Sequence, residues 1–280
     1  MHGEGERAVP VWQEFFHHPA GGFVLAVIPN VASGSAKRWF LSMTGPHPDN
    51  PAEAWRPFRL SYRPSPDALV RQLPTFVTVR DPRSRLASVY ITHMIRPPVE
   101  KLSPSIRTLI EVMSGDKLTP DHPRLSYREF ATGLSVWRND DALDLHLRPQ
   151  ASFVRAAGPQ PFVCRSELQR VMLAGLTERA GRPVERTAAE YAALGRRPWA
   201  VPNGTADRTA GEWRRRLGAG TDTMIARPTS VGRGPVLDLR TSEVRDPGAD
   251  ELIAERYRDD LDMYEGAEWD PSRHDWRPKR

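Results

Sequence analysis

The residues with the most chemical potential sit at two points where an apolar run gives way to a turn. In "FVTVRDPRSRLASVY", residues 76–90, a core-like strand ends on Arg80, and Asp81, Arg83 and Arg85 crowd the turn that follows. A guanidinium at the end of a buried strand is expensive to desolvate unless an anion faces it. Ser88 lies near the second turn of the helix that should fold back over that strand end, so the Arg80 guanidinium and the Ser88 hydroxyl can converge as a clamp for a monophosphate. The competing reading pairs Arg80 with Asp81 or Asp140 and makes Ser88 a small packing residue. The second point is "VIPNVASGSAKRW", residues 27–39. Its small residues, Ala32 to Ala36, let backbone N–H groups approach an anion closely. Lys37 and Arg38 fall in the first turns of the next helix, where long side chains fold back toward its start. It is not a Walker A loop, because G-x-x-x-x-G-K-[ST] is absent. A plain tight turn with solvated charges is the alternative.

The elements that must position these residues follow from the apolar pattern. "GGFVLAVIPN" (21–30), "TFVTVRD" (75–81) and "PFVCR" (161–165) read as buried strands. "SAKRWFLSM" follows the first as a helix, and "PRSRLASVYITHMI" follows the second with Pro82 as a favourable first-turn residue. Further helices are expected at 104–114, 125–137 and 166–180, and "ADELIAERYRDDLDMYEG" as one amphipathic helix with Leu252, Ile253, Tyr257, Leu261 and Tyr264 on its apolar face. Residues 45–67 are proline-rich and read mostly as loop. Strands followed at once by helices predict an α/β fold: a three-layer, P-loop-like parallel sheet flanked by helices. A single domain over 1–280 is expected, with an irregular insertion at about 183–248. Ligands of such sheets bind beyond the carboxyl ends of the strands, where both candidate turns lie.

Composition narrows the classes. The 280 residues carry a net charge of +5, and the positive charge is nearly all arginine, Lys37, Lys101, Lys117 and Lys279 being the only lysines. The arginines are spread along the chain without a basic stripe of interleaved aromatics, which disfavours a nucleic-acid partner. Cys164 stands alone, so no intrachain disulfide forms. No apolar run approaches the roughly 18 residues of a membrane span, and "MHGEGERAVPVW" has no signal-peptide pattern. A cytoplasmic location is the expectation; the oligomeric state is not legible.

Together the two turns resemble the two cofactor loops of sulfotransferases, in particular the carbohydrate sulfotransferases of the chondroitin/dermatan type. "PNVASGSAKR" resembles the 5′-phosphosulfate loop, Pro-Lys-Val-Ala-Cys-Thr-Asn-Trp-Lys-Arg, and "FVTVRDPRSRLASVY" the 3′-phosphate motif, Val-Arg-(Asp/Glu)-Pro-x-x-Arg-Leu-x-Ser-x-Tyr. "LHLRPQ" is similar to a His-Trp-x-Pro-Gln element, "FVCRSEL" to Phe-Val-x-x-Phe-Glu-x-Leu, and "RYRDDLDMYEG" to a terminal Tyr-x-x-Asp-x-x-x-Phe-Gly helix. The resemblance runs from residue 23 to 266 and leaves about 45–70 and 183–245 unmatched. It implies transfer of a sulfuryl group from 3′-phosphoadenosine 5′-phosphosulfate (PAPS) to a hydroxyl or amine of a carbohydrate, glycolipid or secondary metabolite. By position, Arg80 and Ser88 would hold the 3′-phosphate. Asn30, Val31, Ala32, Ser33, Gly34, Ser35, Lys37 and Arg38 would cradle the 5′-phosphosulfate. Arg85 would fix the loop by pairing with a carboxylate.

One position departs from the family. The lysine that follows the loop proline is Asn30 here, and losing one transition-state donor typically lowers turnover by about 10²–10³. Lys37 is the expected substitute. The acceptor's proton needs a base, and of eight histidines His146 and His93 are best placed, with Asp140, Asp141 and Asp144 able to orient His146 or to bind a basic substrate. No histidine or cysteine cluster has metal-ligand spacing. A catalytically impaired nucleotide-binding relative and a P-loop-type kinase are the alternatives. Trp55, Trp199 and Trp213 lie in the unmatched segments as candidate acceptor platforms.

Overall fold

The computed structural model describes residues 14–44, 56–97, 99–119, 124–180, 226–227, 236–237 and 241–267. Most of the expected insertion, together with His47, His122, His274, Trp55, Trp199 and Trp213, lies outside the described residues. Along the chain run β1 (Phe15–His18), β2 (Phe23–Ala26), α1 (Ser33–Thr44), α2 (Pro66–Gln72), β3 (Thr75–Val79), α3 (Pro82–Val89), α4 (Pro104–Ser114), α5 (Tyr127–Val136), α6 (Gln150–Ala156), β4 (Phe162–Arg165), α7 (Gln169–Arg179), β5 (Ala226–Arg227), β6 (Val236–Leu237), α8 (Thr241–Val244), α9 (Pro247–Arg256) and α10 (Arg258–Gly266). They belong to two compact units. The first comprises Met1–Arg80, Arg148–Arg196 and Asp262–Arg280; the second comprises Asp81–Leu147 and Arg197–Leu261.

The first unit holds a four-stranded sheet of order β1-β2-β3-β4. β2, β3 and β4 are parallel, as expected, with Leu25 opposite Phe76 and Val77 opposite Val163. β1 is antiparallel to β2, so the sheet is mixed. β1 is joined to β2 through Gly22, whose φ of 58° suits a residue without a Cβ. Alternation along the strands sends Phe16, Phe23, Leu25, Phe76 and Cys164 to one face, where Trp39, Phe40 and Met43 of α1 and Met172, Leu173 and Leu176 of α7 cover them. The other face is buried too: Phe15, Val24, Val77 and Val79 are inaccessible to solvent. Burial on both sides explains why these strands read as continuous apolar runs. Within GGFVLAVIPN only Phe23–Ala26 is strand; Gly21 and Gly22 belong to the turn from β1, and residues 27–30 lead into α1.

The second unit is helical. Leu86, Tyr90 and Met94, with Ile106, Leu109 and Ile110 of α4, Phe130 and Leu134 of α5, and Ile253 and Tyr257 of the C-terminal region, form one core. α4 and α5 meet closely at Gly133, where an added Cβ would lie 2.6 Å from a Leu109 methyl. α3 passes without a break into a π-helical turn, Tyr90–Ile95. The single C-terminal helix expected over 249–266 is instead α9 and α10, parted at Tyr257. Tyr257 is 1% exposed and its hydroxyl donates to the Leu147 carbonyl at 2.7 Å, so the break inserts a buried anchor. No described helix is long and apolar enough to cross a membrane.

Candidate functional site

In the first unit, the parallel pairing of β2 with β3 sets their carboxyl ends side by side. Beyond β2 the chain makes a tight turn in which Val31 N–H donates to the Ile28 carbonyl at 3.2 Å. Asn30 and Ala32 have φ of 60° and 49°. Asparagine tolerates this left-handed region, whereas alanine is held there against a cost of about 1–2 kcal/mol, the kind of stored strain that clusters at ligand sites. The turn delivers the chain into α1, which has no acidic residue in its first turn. Among the described residues the backbone N–H groups of Ala32, Ser33 and Gly34 meet no acceptor. Arg38 folds back over this helix start, since a Cβ built on Gly34 would touch its Nη2 at 3.4 Å.

Arg80 closes the neighbouring strand. Its backbone is gripped at both ends by one side chain: the Arg80 N–H donates to Gln150 Oε1 at 2.9 Å, and Gln150 Nε2 donates to the Arg80 carbonyl at 2.7 Å. Gln150 is wholly buried. The guanidinium is half-buried and leans over the β2–α1 turn, Nη1 lying 3.5 Å from the Asn30 carbonyl oxygen. Gln169, at the start of α7, ties the turn to the sheet: its Nε2 donates to Thr78 Oγ1 and its Oε1 accepts from Ser35 Oγ, both at 3.3 Å. The structure thus brings Asn30, Ser33, Gly34, Arg38 and Arg80 around the ends of β2 and β3. The Lys37 ammonium is committed elsewhere. It pairs with Glu14 at 2.6 Å and lies over the Phe16 ring, toward β1.

The second unit carries Ser88, Arg85 and the histidines. Ser88 is half-buried on α3, and its hydroxyl makes no hydrogen bond among the described residues. Arg85 is wholly buried, as is Asp260, and both act electrostatically on the Tyr257 hydroxyl, whose pKa burial pushes up. Asp81 and Asp140, the two carboxylates weighed for Arg80, have partners of their own. Asp81 caps α3 and takes Arg83 in a two-pronged pair at 2.9 Å. Burial opposes its ionisation, but the Arg83 bonds hold its carboxyl below the usual range. Asp140 pairs with Arg256.

His93, on the π-helical turn, lies against His146 with ring centroids 3.7 Å apart and planes 32° from parallel. His146 Nδ1 is 2.5 Å from Asp144 Oδ1. Burial first, then the neighbouring His146 charge, lowers the His93 pKa to about 4. Asp144 is drawn down to about 2: burial raises it, but hydrogen bonds from the His146 ring and backbone N–H outweigh that. His18, by contrast, is a packing residue, 1% exposed, stacked on Phe23 and accepting the Gly21 N–H at Nδ1. A groove of about 460 Å³ in the second unit, lined by Trp137, Arg138, Asp140 and Glu255 among others, takes in Asp140 but neither His93 nor His146.

Sequence reasoning singled out Arg80 but not the residues that hold it. Gln150 was in view as the end of "LHLRPQ", yet nothing in one sequence says that its amide grips a strand end seventy positions away. Gln169 carried no signal at all. No protein-family model, no curated protein and no solved structure matches the chain.

Proposed function

We propose that this chain is a PAPS-dependent sulfotransferase acting on a hydroxyl or amine of a carbohydrate, glycolipid or secondary metabolite, in a P-loop-like arrangement. The observation that carries the reading is the adjacency of two turns. The two segments that resemble the family's nucleotide loops follow neighbouring parallel strands, and the guanidinium of one reaches within 3.5 Å of the backbone of the other. The donor set fits the group: three amides at a helix start that meet no acceptor among the described residues, Arg38 folded over them, and Arg80 beside them make a cationic cradle for an adenosine bisphosphate. Arg80 takes the ribose phosphate.

When bound, the nucleotide supplies a sulfuryl group already joined to a phosphate leaving group. The chain's part is to neutralise that phosphate as the sulfur–oxygen bond breaks and to accept the proton of the attacking group. The α1 amides and Arg38 serve the first need, with Asn30 offering an amide donor in place of the family lysine. A histidine serves the second.

A second reading, a relative that binds the nucleotide with little or no turnover, is favoured by one observation. Lys37, the residue best able to replace the missing lysine, is tied to Glu14. A thermal-shift panel of 3′-phosphoadenosine 5′-phosphate (PAP), ADP and ATP tests the shared premise. PAP at a hundred times its dissociation constant should stabilise the protein by about 2.7 kcal/mol. A preference for ATP moves the assignment to a kinase, and indifference to all three removes it. Release of PAP from PAPS in the presence of acceptor mixtures then separates the enzyme from the impaired relative.

A further inference from the structure

We propose that Asp144 and His146 form a proton-accepting dyad in which Nε2 of His146 is the basic atom and Asp144 is the residue that positions it. The use of the dyad, taking a proton from a substrate hydroxyl or amine onto Nε2, rests on the sulfotransferase reading. Its geometry does not.

An ionised carboxylate only accepts hydrogen bonds, so the 2.5 Å contact between Asp144 Oδ1 and His146 Nδ1 places the imidazole proton on Nδ1. The lone pair is then on Nε2, which makes no hydrogen bond among the described residues. The carboxylate is itself fixed. Its Oδ1 also accepts the His146 backbone N–H at 2.9 Å, and the Asp144 N–H donates to Ser105 Oγ at 2.9 Å. Hydrogen bonding keeps it charged far below neutral pH, despite its burial. A turn that served structure alone would need only the backbone bond; the second bond to the ring selects a tautomer.

The same geometry separates the two histidines. His93 has no carboxylate at its ring, and it is held face to face with His146 by the π-helical turn, a distortion often found at functional sites. Two imidazolium ions at that spacing repel, so His93 is the partner that stays neutral, consistent with its lowered proton affinity. It acts as a wall against which the His146 ring is set.

Ring-nitrogen NMR of the full chain with ¹⁵N-labelled histidine, near pH 7.5 and without nucleotide, reads the tautomer directly. His146 should carry its proton on Nδ1 in the wild type and lose that preference in Asp144→Asn, where the amide can donate to the ring. A wild-type His146 protonated on Nε2 overturns the proposal, and that measurement decides alone if the variant does not fold. Diethyl pyrocarbonate, which acylates a bare imidazole nitrogen, should modify His146 several-fold faster in the wild type than in Asp144→Asn, with His93 slow in both. Equal rates at His146, or faster modification of His93, count against the dyad. Neither experiment involves PAP, so a failed nucleotide panel and a failed dyad are separate results. In the active enzyme, a wrong tautomer at an Asp–His pair lowers turnover by up to about 10⁴.

Discussion

Replacing Gln150 with leucine should loosen Arg80 without touching its guanidinium. Leucine fills similar space but offers neither an acceptor to the Arg80 N–H nor a donor to its carbonyl. Gln150 is wholly buried and its two bonds are 2.9 and 2.7 Å long. Stranding one buried polar group costs about 1–3 kcal/mol, so stranding both should destabilise the strand end by about 2–6 kcal/mol. The Arg80 amide is itself one of the bonded groups, which makes native-state hydrogen exchange the direct assay. Its protection should fall by at least roughly 30-fold, since each 1.4 kcal/mol is tenfold. Protection in the middle of β2 should change less. PAP binding should weaken as well, because the guanidinium is carried by that backbone. Arg80 protection within about threefold of wild type would refute the idea that Gln150 holds the site residue in place.

Lys37→Ala should reduce stability by about 1–3 kcal/mol, because it leaves the poorly exposed Glu14 carboxylate without its 2.6 Å partner. PAP affinity should be unchanged; a loss of tenfold or more would show that Lys37 leaves Glu14 for the nucleotide. His93 should make the fold acid-sensitive. Its folded-state pKa of about 4 lies below the ordinary 6.5, so the unfolded chain binds the proton more tightly, and stability is complete above pH 6.5 and declines as pH falls toward 4. The loss is on the order of 3 kcal/mol, and urea titrations of His93→Phe should lack that slope; an identical slope contradicts the burial argument. Asp144 adds a second, lower window: with a folded value of about 2 against 3.8, its contribution of about 2 kcal/mol persists above pH 3.8 and disappears as pH falls through 2, which Asp144→Asn should abolish.

What could be read from the sequence was what local physics decides. Pro82 in a first helical turn marked the start of α3, and the helices expected over 104–114 and 125–137 are α4 (Pro104–Ser114) and α5 (Tyr127–Val136). β2, β3 and β4 were visible because strands buried on both faces are continuous apolar runs. β1 was not, since four residues ending in two histidines show neither a run nor an alternation. Its status as a strand comes from pairing with β2, with Phe15 opposite Ala26. The break at Tyr257 was hidden because its periodicity fits a continuous helix; the hydrogen bond to Leu147 that fixes it is 110 residues away in sequence. α2 begins at Pro66, at the edge of a segment read as loop. The division of the chain at Arg80, between a sheet unit and a helical unit, left no composition shift to detect. The site followed the same rule. Arg80, Asn30 and Arg38 stood out by residue type, whereas Gln150, Gln169 and the contact of His93 with His146 are tertiary facts.

The central claim is that Arg80 receives a ribose phosphate, and calorimetry of two nucleotides on two proteins tests it most directly. AMP shares the 5′-phosphate of PAP and lacks only its 3′-phosphate. Arg80→Ala should weaken PAP binding by roughly 10–150-fold, the worth of a hydrogen bond to a charged group, and leave AMP binding nearly unchanged. An equal loss for both nucleotides, or none for PAP, would contradict the account.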